Sequence, residues 1–230
     1  MNKTGWIIFS TVVVLLLGSL VAWARITNPA IDVSGIDHNS VLAANAQSGN
    51  IKENVRGKAD SKVLLVEYGD YQCLGCASAS TNVNKLVEEY GDRIGFVFRN
   101  FPLPSIHANA RTASASAEAA GLQGKFWEMH DLLYERQDDW SLADATKRTD
   151  LFKQYAVTIG INSDKFVDDL ASSAVSKKIN FDVALGKKFE VDATPTFFLG
   201  GEKLNSDDSG DLSSGNLDPI KAKIDELLKK

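Results

Sequence analysis

The sequence predicts an α/β protein of order β-α-β, an all-helical insert, then β-β-α, set behind one apolar N-terminal helix. Three observations support this. An uncharged run of membrane length opens the chain. A strand, a helix and a strand then follow at close spacing around two cysteines. After a long helical stretch, a hairpin signal at Gly200-Gly201 and a last helix close the chain.

From Trp6 to Ala24, "WIIFSTVVVLLLGSLVAWA", nineteen residues carry no charge. As a helix they would span about 28 Å, close to the ~30 Å hydrocarbon core of a bilayer. Trp6 and Trp23 stand at the two ends, where interfacial aromatics belong. A cleaved signal peptide is the rival reading, since Ala22-Trp23-Ala24 matches a small-x-small cleavage site. The apolar run is long for a signal core, so residues 1–24 are read as a membrane anchor or signal-anchor. Lys3 and the α-amino group lie on one side and Arg25 on the other, so the positive-inside count is nearly tied. The short lead before Lys3 is easily retained in the cytoplasm, which puts the bulk of the chain outside.

Residues 25–57 read as a flexible tether, rich in Asn, Ser, Ala and Gly and without a sustained period. His38 falls there as a solvated linker residue. Such a tether would hold a domain off the bilayer. Residues 58–230 form that domain, with a helical insert at about 105–190.

"KVLLVEY", Lys62 to Tyr68, contains four consecutive apolar residues and reads as a strand covered on both faces. "CASASTNVNKLVEEYGD" follows as a helix with Val83, Leu86, Val87 and Tyr90 inward and Gly91 as its stop. "RIGFVFRNF" is the second strand, completing a βαβ unit. The insert begins with the Ala-rich "HANARTASASAEAAGLQG" and the amphipathic "KFWEMHDLLYERQ". Helical segments continue through "DLFKQYAVTIG", "SDKFVDDLASS" and "SKKINFDVALGKKF". "TPTFFLGGEKL" then reads as two short strands around Gly200-Gly201. "LDPIKAKIDELLKK" is a closing helix with Pro219 near its first turn.

Composition excludes some functions. The chain has 25 basic and 30 acidic side chains, a net charge of −5, so no basic surface for nucleic acid is implied. Hydrophobic content of 44% and charged content of 24% are those of an ordinary globular protein.

Cys73 and Cys76 are the only cysteines. Three apart on a helix, their α-carbons lie roughly 5 Å from each other, which suits a disulfide. As a staple the pair is poor, since a four-residue loop yields about 1.9 kcal/mol against about 4.7 for a hundred residues. Zinc needs about four ligands, and only His38, His107 and His130 could join two thiolates. None of the three has a second ligand at suitable spacing. Redox chemistry has a mechanism instead. At the N-terminus of a helix, free N–H groups and the macrodipole favour a Cys73 thiolate. Cys76, one turn in, then breaks the mixed disulfide between Cys73 and a client.

"VEYGDYQCLGC", the β-α-β/β-β-α order, the helical insert and "VDATPTFFLGG" together resemble the bacterial DsbA-like thiol–disulfide oxidoreductases, over about residues 51–230. The nearest likeness is to the membrane-anchored group of Gram-positive-type bacteria. The resemblance implies a thioredoxin fold with an inserted helical subdomain and a Cys73–Cys76 redox-active disulfide. It implies further that Thr194-Pro195 is a cis-proline loop facing the sulfurs and pairing with extended clients. It also makes Glu67 a buried acid that moves protons to and from Cys76. The clients would be extracytoplasmic proteins with free thiols, reoxidation would come from a quinone-linked membrane partner, and no cofactor or metal is expected. The dipeptide Leu74-Gly75 departs from the Pro-His or Pro-Tyr type of the strong oxidants, which leaves a tethered reductase open beside the oxidase. A client-binding chaperone with a passive disulfide is the other alternative.

Two further stretches have weaker readings. His107 could stabilise a thiolate or be a plain first-turn residue, and His130 reads as core or surface filling. "NSDDSGDLSSGN", Asn205 to Asn216, matches part of a calcium loop but has Asn216 in place of the closing Glu, so it reads as a solvated loop.

Overall fold

The structure, a computed structural model, describes residues 3–27 and 30–230. It forms two units, one reaching Asp32 and one covering Val33–Lys230. The first contains α1 (Lys3–Thr27), a continuous helix without an acidic residue in its first turn. Its window Lys3–Leu20 has a mean hydropathy of 1.7 and none of it is buried, so it is long and apolar enough to cross a bilayer.

The second unit is built on a five-stranded sheet. Its strands are β1 (Val55–Gly57), β2 (Leu64–Gly69), β3 (Gly95–Asn100), β4 (Thr196–Leu199) and β5 (Glu202–Lys203), in the order β1-β3-β2-β4-β5. β2 runs parallel to β3 and antiparallel to β4, and the two edge strands are antiparallel to their neighbours. The helix α2 (Leu74–Tyr90) joins β2 to β3. Six helices stand between β3 and β4: α3 (Ala110–Gly121), α4 (Phe126–Glu135), α5 (Gln137–Trp140), α6 (Ala145–Thr158), α7 (Ser163–Leu170) and α8 (Ser173–Lys188). Asp144, Asn162 and Ser172 cap α6, α7 and α8 through their side chains. After β5 come α9 (Ser206–Ser214) and α10 (Asp218–Leu227). This is the thioredoxin fold with a helical insertion that the sequence predicts.

β2 is buried at all six positions because it lies in the middle of the sheet with both faces covered. On one face Leu65, Phe96, Phe98 and Phe197 pack against Cys76, Val83 and Leu86 of α2 and against the insert. On the other, Leu64, Val66, Tyr68, Val97 and Phe198 meet Leu185 of α8 and the partly buried Val33, Ile36, Val41 and Leu42. Each such side chain contributes about 1.5–3 kcal/mol when fully buried.

That second face corrects the reading of 25–57 as a tether. Residues 28–29 of that stretch lie outside the described residues, but from Val33 onward the chain is packed. Arg99, fully buried on β3, pairs with Glu53 at 2.6 Å and donates to the carbonyls of His38 and Ser40. A buried guanidinium must be paired, and this segment supplies the partners. Lys188 Nζ donates to the carbonyls of Val33, Ser34 and Ile36 at 2.7, 2.9 and 3.1 Å. His38 is therefore no solvated linker residue: its ring stacks on Phe189 at 4.0 Å and meets the edge of Phe198 at 4.6 Å. Val55–Gly57 then adds β1 to the edge of β3. The folded unit begins at Val33, not at 58.

Residues 205–216 are also corrected. They form α9, in which Asn205 caps the backbone N–H of Asp208, Leu212 is buried and Gly215 ends the helix with a φ of 87°. Asp208 pairs with Lys223 at 2.8 Å, so this acid is tied into the fold. Neither a calcium loop nor a solvated loop describes the segment.

Candidate active site

Cys73 is the N-cap residue of α2, with an extended backbone at φ −76° and ψ 124°. It stands where β2 ends and the chain turns, and its N–H donates to the Asp70 carbonyl at 3.0 Å. The free N–H groups of the first helical turn thus surround its sulfur. Cys76, one turn in, is fully buried against the sheet. Both cysteines are thiols in this structure.

The two thiols differ sharply. The Cys73 pKa is pulled down to about 5, first by a hydrogen bond from the Cys76 thiol. Partial burial works against this, while the N–H groups of Cys76 and Gly75 and the side chain of Thr194 add to it. Burial pushes the Cys76 thiol well up, and the neighbouring Cys73 and Glu67 push it further. The result is one ready thiolate and one held proton.

Thr194-Pro195 lies across from the cysteines, and its peptide bond is cis. The Thr194 carbonyl is 3.3 Å from Cys73 Sγ and accepts from it in the thiol form. A Cβ placed on Gly75 would lie 3.2 Å from Pro195 Cδ and 3.7 Å from Cys73 Sγ. Glycine in the dipeptide therefore lets the helix tip approach the proline loop closely.

Glu67 sits on β2 between Phe98 of β3 and Phe197 of β4, on the face that carries Cys76. It is fully buried and neither carboxyl oxygen meets a hydrogen-bond partner. Burial raises its pKa to about 8, the Cys73 charge adds to this, and the approach of the Cys76 thiol, looser than a hydrogen bond, offsets part of it. A carboxyl of this kind takes and gives a proton near neutral pH.

Gln137, Gln72 and Asn109, which the sequence reading passed over, help hold the loop before Cys73. Gln137 Nε2 of α5 donates to the carbonyls of Tyr71 and Cys73 at 2.8 and 3.1 Å. Gln72 accepts from the Asn109 N–H and donates to the Ser141 carbonyl, both at 2.8 Å. The buried Asp70 accepts from the N–H groups of Gln72 and Leu103 and contacts His107 Nδ1 at 2.8 Å. His107 stands three residues ahead of α3 and is brought to Asp70, so it braces this loop. His130 is buried among Tyr71, Phe98, Trp127 and Tyr134, as filling of the core. Its Nδ1 meets Asp131 at 3.1 Å. Large apolar side chains lie open beside the site. Leu74 follows Cys73 and is 73% exposed; Ile106, next to His107, is 69% exposed, and Leu142, next to Ser141, is 93% exposed. Among the described residues no group of acids, histidines and cysteines could hold a metal ion.

A Cys-x-x-Cys at the head of α2, facing a cis-proline across a five-stranded sheet with a helical insert, defines a protein of the thioredoxin fold. The chain belongs to the thioredoxin family, whose model matches residues 49–217. Oxidised BdbD from Bacillus subtilis is similar in structure, with a TM-score of 0.65 and 22% identity over 84% of this chain and 99% of that one. The thiol–disulfide exchange protein alpha-DsbA2 from Wolbachia pipientis is similar with a TM-score of 0.63 and 22% identity, over 79% of this chain and 90% of that one. In sequence, the Na(+)/H(+) antiporter NhaA 1 of Mycolicibacterium vanbaalenii is 37% identical over 152 residues, covering 65% of this chain and 24% of the antiporter. The chain spans about a quarter of the length of the relatives it matches in this way.

Proposed function

We propose that this protein is a membrane-tethered thiol–disulfide oxidoreductase that forms disulfides in extracytoplasmic clients through Cys73 and Cys76. The observation that carries the reading is the split between the two thiols, with Cys73 drawn down to about 5 and Cys76 pushed well up. In the disulfide form, a client thiolate attacks Cys73 Sγ, the intramolecular S–S bond breaks, and Cys76 leaves as a thiolate that takes a proton from Glu67. A second client thiolate then attacks the client sulfur of the mixed disulfide, and Cys73 leaves as a stabilised thiolate. A good leaving group at Cys73 favours this direction. The cis Thr194-Pro195 segment offers backbone to an extended client, and Leu74, Ile106 and Leu142 offer it apolar contact. α1 serves as the anchor, with the folded unit outside, where disulfides persist. Each turnover leaves the pair reduced, so an oxidant is required, and a quinone-linked membrane protein suits that role.

The test is the reduction potential of the Cys73–Cys76 couple, set by equilibration with glutathione buffers and read by thiol alkylation. A value less negative than thioredoxin's, about −270 mV, is expected. A value at or below that refutes the oxidase and makes the protein a reductase. A Cys76→Ser protein should in addition collect clients on Cys73 as mixed disulfides, and a Cys73→Ser protein should collect none.

A further inference from the structure

Beneath the cysteines lies a group of buried polar atoms of which the exchange chemistry above uses only the Glu67 carboxyl. Six of them meet no protein hydrogen-bond partner: Glu67 Oε1 and Oε2, Tyr71 Oη, Asn100 Oδ1, Ser114 Oγ and Glu118 Oε2. The fold puts them on one path. Glu67, Gly69, Phe98 and Asn100 share one face of the sheet, since Glu67 is registered with Phe98 and Gly69 with Asn100. The Glu67 carboxyl lies over Gly69, because a Cβ on Gly69 would sit 2.9 Å from Glu67 Oε1. Asn100 Nδ2 donates to Glu118 Oε1 at 2.7 Å. Ser114 is one helical turn from Glu118 on α3. The Tyr71 ring lies 4.9 Å from that of Phe98, the sheet neighbour of Glu67. Both Glu67 and Glu118 are close enough to Tyr71 for their charges to raise its pKa.

Buried polar atoms without protein partners are satisfied by internal water. We propose that water held by Tyr71 Oη and Asn100 Oδ1 links Glu67 to Glu118, and that Glu118 receives the proton which Glu67 takes from Cys76. Glu118 is then a positioning residue that acts through Glu67, without touching sulfur.

Glu118 is the carboxyl at this strand end suited to the role. Asp182 is paired with Lys178 at 2.6 Å, and Glu53 with Arg99 at 2.6 Å. Glu118 has only the Asn100 amide. Burial lifts its pKa to about 7, the Lys178 charge lowers it, and the Asp182 and Glu53 charges raise it. The groups facing Glu67 are Cys73, Cys76 and Tyr71, with Tyr134 of α4 nearby. Gly69 keeps the passage open, since a methyl group there would fall on Phe98 and on Glu67 itself.

The step concerned is the breaking of a mixed disulfide on Cys73 by Cys76, and the inference rests on the proposed pairing of these two cysteines. Cys76 gives its proton to Glu67. Its sulfur bonds to Cys73 Sγ as the bond from Cys73 to the outgoing sulfur breaks, and the outgoing thiolate leaves with the electron pair. The proton passes from Glu67 through water to Glu118, which restores Glu67 as a base.

The experiment uses the full chain in detergent, reduced and mixed with glutathione disulfide. The mixed disulfide on Cys73 forms first. Its resolution by Cys76 is the phase independent of glutathione disulfide concentration, followed by acid quench and mass spectrometry across pH. The wild-type profile should show two inflections, one for each carboxyl, with that of Glu67 no longer raised by a Cys73 charge once Cys73 is in the mixed disulfide. Glu118→Gln keeps the acceptor for Asn100, so it should fold, lose the inflection of Glu118 and resolve about tenfold more slowly at neutral pH, less than the roughly hundredfold low end for a group that transfers the proton directly, because Glu118 acts through Glu67. Tyr71→Phe should slow the same phase without altering the pH profile of Cys73 alkylation. If both variants keep the wild-type profile and rates within about twofold while Glu67→Gln is slowed, the relay is overturned and the role of Glu67 stands. If Glu67→Gln is also unchanged, both fall. Failure of Cys73 to form the mixed disulfide would overturn the proposed function itself.

Discussion

Replacing Cys76 by alanine should raise the Cys73 pKa from about 5 to between about 6 and 7. The Cys76 thiol is the foremost group holding the Cys73 thiolate. A hydrogen bond to a charged group is worth about 1.5–3 kcal/mol, and a pKa unit corresponds to about 1.36 kcal/mol, so its loss amounts to one or two units. The sign follows from the donor. Alanine removes a hydrogen bond to the ionised form, so the ionised form is destabilised and the pKa rises. The N–H groups of Cys76 and Gly75, the Thr194 side chain and the helix terminus remain, which keeps the value below the free ~8.5. At neutral pH the thiolate fraction would fall only from about 99% to about 50–90%, so a single-pH rate is a weak assay. The midpoint must be titrated, by thiolate absorbance in the ultraviolet and by the rate of iodoacetamide alkylation. Serine at 76 retains a donor and should give a midpoint between alanine and wild type. An alanine variant with an unchanged or lowered midpoint would refute the role given to the Cys76 thiol and leave the helix end and Thr194 as its holders.

Other outcomes follow from burial. Glu67 has its pKa raised from 4.5 to about 8 in the folded, reduced protein. Its contribution to stability is full below about 4.5 and is lost as pH rises through about 8, on the order of 3–5 kcal/mol in all. Denaturant melts of wild type and Glu67→Gln at about pH 5 and about pH 9 should therefore diverge in favour of the variant at the higher pH, and parallel curves would refute the assignment. Arg99→Met leaves Glu53 buried without its cation and should cost about 3–5 kcal/mol, part of it recovered by Glu53→Gln; a loss under about 1 kcal/mol would show that the pair is not buried as described. Protease added to intact cells should digest the folded unit, and its survival beside digested surface proteins would reverse the proposed orientation.

Much of this architecture is legible in the sequence because it is written in side chains. The run Val63 to Val66 marks β2, the cysteines mark the head of α2, and Thr194-Pro195 marks the loop that faces them. What was missed is held by backbone or by short polar residues. The segment after Val33 is fixed through carbonyls of Val33, Ser34, Ile36, His38 and Ser40, which carry no trace in composition. Three-residue β1 is too short to show a period. α9 is rich in Ser, Asp and Gly, which favour loops, yet Asn205 with its partner Asp208 is a readable helix start, and Leu212 is its inward residue. Gln137 reaches the carbonyls of Tyr71 and Cys73, and Asn109 Nδ2 reaches those of Trp140, Ser141 and Ala143, all far away in sequence, so no local pattern announces them. Glu118 lies in an alanine-rich helix where a glutamate ordinarily marks the solvent side. Its burial follows from the packing of α3 against α4, α7 and α8, which no local window contains.

The clasp around Arg99 decides how this gene should be trimmed. Anyone preparing a water-soluble version by composition alone would start translation at residue 58 and discard β1, Glu53 and the two carbonyl acceptors in one stroke. The guanidinium would then keep only the Tyr68 hydroxyl at 3.3 Å, and one side of the sheet would lose Val33, Ile36, Val41 and Leu42 as its cover. Such a fragment should stick to itself and give a false report of a weak enzyme. Beginning at Val33 spares every one of these contacts while leaving α1 behind.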